Sequence, residues 1–107
     1  MIDEGMQTSD YPQNGARFQL DRLAVADGGA RYQAALYLPA ARHDYELSIA
    51  LPDGACALRE TGRQPPEAPD PAPWAVSHLQ TLGRQLFRAA QKDGAWQRRL
   101  SRWRGDP

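Results

Sequence analysis

Long apolar runs are missing from this chain: nothing approaches the roughly 20 residues that a spanning helix needs, and the mean hydropathy is -0.69. A membrane span is therefore not expected. The opening Met1-Ile2-Asp3-Glu4-Gly5 has neither a basic nor an apolar leader region, so the expected location is cytoplasmic. Cysteine is almost absent too. Cys56 stands alone, which rules out an internal disulfide and leaves no sign of an oxidising compartment. Lysine is nearly as scarce, Lys92 being the only one among 13 basic residues.

The formal net charge is zero, yet the signs are segregated. Residues 1–73 hold six Arg against eleven Asp and Glu, and residues 74–107 hold seven basic against two acidic side chains, so the halves carry -5 and +5. At 107 residues there is room for one core of ordinary size.

Residues 1–14 are polar and aperiodic and read as a disordered leader before a single domain over 15–107. From Ala16 the pattern is period two: Phe18 and Leu20, then Leu23 and Val25 in the opposite parity, which calls for a one-residue bulge near Asp21-Arg22. Asp27-Gly28-Gly29 is a turn signal. Arg31 to Leu38 and His43 to Leu51 alternate cleanly as half-buried strands. A four-residue loop over 39–42 would set Leu36 against Tyr45 and Ala34 against Leu47. Pro52-Asp53-Gly54 turns the chain into a short fourth strand carrying Cys56 and Leu58, predicted opposite Leu51 and Ile49.

Five prolines between Thr61 and Pro73 forbid helix or central strand, so 62–73 is an extended connector between the meander (15–61) and a helix over 74–104. Asp70 is the predicted N-cap; Leu79, Leu82 and Leu86 form the apolar stripe. Asp93-Gly94 is a stop signal, so 95–103 is either a kinked continuation or a second short helix. The predicted class is α+β, a three- to four-stranded antiparallel β-meander with one face covered by a C-terminal amphipathic helix.

Chemistry-bearing residues are sparse. His43 and His78 sit on different elements without a metal-ligand spacing, and no cofactor or metal is implied. Cys56 falls on an inner strand face. Asp44 and Glu46 share a strand face, as acid/base chemistry can require, but their expected cross-strand neighbours are Tyr37 and Ala35, with no His or third carboxylate nearby. Gly28-Gly29 precedes no helix and so makes no phosphate cradle.

One surface rises above this background. On a continuous helix Arg84, Arg88, Arg98 and Arg102 share a stripe with Arg99 beside it, while Trp96 and Trp103 flank the apolar face. The expected function is a small non-catalytic binding or scaffold module working through a protein partner or a homodimer. A nucleic-acid-binding module using the arginines is the alternative, and a small enzyme using Asp44, Glu46 or His43 the third.

Overall fold

The computed structural model describes residues 11–107. Among them lie β1 (Ala16–Ala26), β2 (Gly29–Leu38), β3 (Ala41–Ala50), β4 (Ala55–Gln64), the helix α1 (Pro73–Asp93) and β5 (Arg99–Arg104). The strands form one antiparallel sheet in the order β4-β3-β2-β1-β5, and α1 packs on the β3 and β4 side of it. The α+β meander with a covering helix is thus present, with a fifth strand added.

Alternation explains the first four strands. Phe18, Leu20, Tyr32, Leu36, Leu47 and Ile49 point to one face and are buried there with Leu79, Leu82 and Leu86 of α1. The registers differ from the predicted ones by two residues. The β2–β3 turn is only Pro39-Ala40, so Leu36 meets His43 and Ala34 meets Tyr45. In the first hairpin Asp27-Gly28 is the turn, which sets Val25 against Ala30. Across the next one Cys56 meets Ile49 and Leu58 meets Leu47. A two-residue slip keeps every side chain on its own face, so the core composition survives it. The β1 bulge lies at Leu23, one or two positions later than predicted.

The helix starts at Pro73, not near Asp70, because its boundary proline fits the first turn while the Asp70 carboxylate is taken by Arg63 at 3.0 Å. It ends where predicted. Gly94 adopts φ 76°, a left-handed conformation that glycine reaches without a Cβ penalty, and its N–H donates to the Ala90 carbonyl at 2.8 Å.

The helical reading of 95–104 does not hold. After Gly94 the chain reverses and Arg99–Arg104 pairs antiparallel with β1, from Ala16 opposite Arg104 to Asp21 opposite Arg99. The physical reason is tertiary: β1 presents an unpaired edge, and Leu100 can bury itself opposite Leu20 only from a strand beside it. Residues 11–14 of the predicted leader make contacts with the domain. The Tyr11 ring packs edge-on to Tyr37 at 5.4 Å and the Asn14 carbonyl accepts from the Trp103 indole at 3.1 Å. Residues 1–10 of the predicted leader lie outside the described residues.

Candidate functional site

The surface nominated from sequence is split in two. Arg84 and Arg88 sit on the exposed side of α1, whereas Arg98, Arg99, Arg102 and Trp103 belong to the return segment and β5, so the continuous stripe does not exist. Arg99 pairs with Asp21 at 2.9 Å and Arg102 donates to its neighbour's carbonyl at 2.8 Å. The two tryptophans have different roles. Trp96 is half-buried, 6.5 Å from the Phe87 ring and packed on the core, while Trp103 is 59% exposed. Arg104 lies over the Trp74 ring at 5.8 Å, and its Nη1 is 3.1 Å from His78 Nδ1. Burial, and then that guanidinium, push the His78 pKa down, and because a guanidinium can only donate, Nδ1 is the acceptor of this bond.

A second surface was not legible in the sequence. β5 reaches only as far as Arg99, and the ladder closes with one more bond, Arg22 N–H to the Arg98 carbonyl at 2.8 Å. Beyond it the outer edge of β1 has no strand beside it among the described residues. Because Arg22 faces β5, the extra residue at Leu23 moves the parity by one, and Val25 becomes the residue whose N–H and C=O point out of the sheet edge. Both apolar side chains here are open: Leu23 is 51% and Val25 50% exposed, although the alternation marks them as core. The correction has a physical source, since α1 packs mainly on β3 and β4 and brings only its C-cap, Gly94, to the hollow beside Leu23 and Val25.

The surroundings of this edge are mixed on one sheet face and mainly apolar on the other. Leu23 and Val25 share a shallow hollow with Gly94, Ala95 and Trp96, held in place by the Arg22 guanidinium, which donates to the Trp96 carbonyl at 2.8 Å. The Tyr32 hydroxyl donates to the Gln97 carbonyl and fixes the next residue. On the opposite sheet face Ala24, Ala26, Gly29 and Ala50 line a second hollow. The other open edges look different. β4 carries Arg59, Glu60 and Arg63 and a bulge at Thr61, and β5 carries Arg99, Arg102 and Arg104. Charge and bulges are how sheet edges resist pairing, and the Leu23 to Ala26 edge carries no charged side chain.

The remaining candidates form a polar corner at the far end of β3 and β4. His43 is wholly buried; its Nδ1 lies 3.3 Å from Glu60, while its Nε2 has no partner. Glu60 accepts two bonds from Arg63, at 2.8 and 2.7 Å, and Arg63 also reaches Asp70 and the Ala68 carbonyl. The Arg63 bonds hold the Glu60 carboxyl below the usual range. This corner ties the proline-rich connector to the sheet. Asp44 is bound to Arg42 at 2.8 Å, and Glu46 is clamped by Arg59 and Arg31, so the two carboxylates serve separate ion pairs on the outer face. Cys56 is half-buried under α1 and burial pushes its thiol pKa up. No group of three or more His, Cys, Asp or Glu that could hold a metal ion occurs among the described residues.

No protein-family model, curated protein or solved structure matches this chain.

Proposed function

We propose that this chain is a small non-catalytic binding or scaffold module that works through protein contacts, with the open edge of β1 as its contact surface. The observation that carries the reading is the combination at Leu23 to Ala26: outward-facing backbone groups at Val25, half-exposed Leu23 and Val25, and no charge on the edge. An extended segment added there gains main-chain hydrogen bonds for affinity and a hollow on each face, one mainly apolar and one mixed, for selectivity. Trp96 contributes the aromatic wall of one hollow. Selection from a displayed library of extended peptides tests the reading. Binders should be recovered and lost with a Leu23→Lys, Val25→Lys variant whose thermal stability is unchanged. A library that yields nothing, or binders indifferent to that variant, would refute it.

The nucleic-acid alternative is favoured by one observation of its own. The exposed Trp103 indole lines a shallow hollow with Arg17, Arg102 and Asn14, an aromatic platform flanked by guanidinium groups. Single-stranded oligonucleotide affinity that falls steeply with salt and is lost in Trp103→Ala would support it; affinity indifferent to either would dismiss it.

A further inference from the structure

We propose that the occupant of the open β1 edge is the same edge of a second copy of this chain, paired antiparallel about a two-fold axis through Val25. The inference rests on the protein-contact reading above and gives that surface its partner. The order Leu23-Ala24-Val25-Ala26-Asp27 suits such an axis. Val25 would lie opposite Val25 of the second copy, and opposed residues whose backbone groups face one another exchange both N–H···O=C bonds. Val25 is the residue of this segment that the bulge turns outward. Ala24 would face Ala26 of the second copy, and small side chains on that sheet face let the seam close without obstruction.

Charge selects a copy of this chain over an arbitrary extended peptide. The two-fold sets Asp27 opposite Leu23, which brings each Asp27 to the point where β5 ends, beside Arg98 and Arg22 of the other copy. Asp21, Arg22, Leu23, Arg98 and Arg99 border an open notch there, three guanidinium groups against one carboxylate that Arg99 already holds. The tip of the second copy's hairpin fills that notch and carries the one acidic residue of the turn into a basic corner. Arg98 and Asp27 are exposed and form no ion pair within their own chain among the described residues, whereas Arg99 is already held by Asp21. The contact is isologous, so each favourable pair occurs twice. Its seam is short, which puts it below the roughly 1,200 to 2,000 Å² of standard stable interfaces and makes the association reversible and dependent on concentration.

Sedimentation velocity of the full chain over a rising concentration series reads this directly. The expected result is a monomer–dimer equilibrium. Asp27→Arg or Arg98→Asp alone should weaken it by about tenfold or more, and the double reversal Asp27→Arg, Arg98→Asp should restore it. The restoration separates loss of the charge pair from a damaged turn. A chain that stays monomeric at every concentration overturns the proposal, as does a dimer that ignores both single reversals. Failure here leaves a separate fate for the broader reading. If peptides selected on the monomer still depend on Leu23 and Val25, the contact surface stands and only its occupant is wrong; if they do not, both fall.

Discussion

Gly83→Ala pits helix propensity against packing, and the structure decides the sign. In an exposed helix the change stabilises by about 1 kcal/mol, since glycine has the larger backbone entropy to lose. Gly83 is buried, and a Cβ placed there would lie 2.9 Å from Cys56 Sγ and 3.2 and 3.3 Å from the two Leu47 methyls. Leu47 is wholly buried and cannot retreat; Cys56 has a single side-chain torsion and donates to the Gly54 carbonyl at 3.4 Å. Overpacking of this kind costs about 1 to 3 kcal/mol, so the net effect is destabilisation of up to about 2 kcal/mol. Denaturant unfolding measures it, and a second variant isolates the cause. Cys56→Ala removes the closest atom, so the pair Gly83→Ala, Cys56→Ala should be more stable than the sum of the single changes. A Gly83→Ala chain that gains the full propensity benefit would show that α1 does not sit this close to β3 and β4.

The other predictions concern the fifth strand, the thiol and the acid limb. Leu100→Ala should cost about 2 to 5 kcal/mol in denaturant unfolding because Leu100 is buried opposite Leu20; a change within error would detach β5 from the sheet. Cys56, with its thiol pKa raised by burial, should react slowly with a thiol reagent in native buffer and quickly in denaturant, and fast native labelling would contradict its place under α1. Glu60, whose pKa Arg63 lowers, contributes stability that is complete above the unfolded carboxylate value of about 4.3 and is lost as pH falls through the lower folded value. Glu60→Gln should therefore flatten the acid limb of stability against pH; an unchanged limb would remove that ion pair from the account.

The core was legible from sequence because two periods each left a mark. Tyr32, Leu36, Leu47 and Ile49 alternate at period two and Leu79, Leu82 and Leu86 recur at helical spacing, and burial requires no further information. Register was not legible. It depended on whether the β2–β3 turn used two residues or four, and Pro39-Ala40-Ala41-Arg42 accommodates both. β5 was hidden for a different reason. Its segment, Arg-Leu-Ser-Arg-Trp-Arg, buries only Leu100 and is a strand because β1 offers a bare edge, a property of the assembled sheet. The same applies to the open edge. Leu23 and Val25 look like core in any window, and only the termination of β5 at Arg99 and the packing of α1 on β3 and β4 reveal that they stay half-exposed. Of the nominated surface residues, Trp96 lines the hollow beside the edge and Arg98 and Arg99 border the adjoining notch, while Arg84 and Arg88 lie apart from it on α1.

The pairing of β5 with β1 joins the two ends of the described chain. β1 to β4 can form by successive hairpins, each closing over a few residues, whereas the Ala16–Arg104 and Asp21–Arg99 pairs link positions 88 and 78 residues apart by subtraction of their numbers. Contacts of such separation bear a large loop-closure cost before any return and are slow to form. On a translating ribosome they cannot form at all until Arg104 has left the exit tunnel. Throughout that interval the whole outer edge of β1, not just Leu23 to Ala26, lacks the strand that will cover it. The moment of greatest exposure to a foreign strand therefore comes during synthesis, and the arrival of six residues ends it.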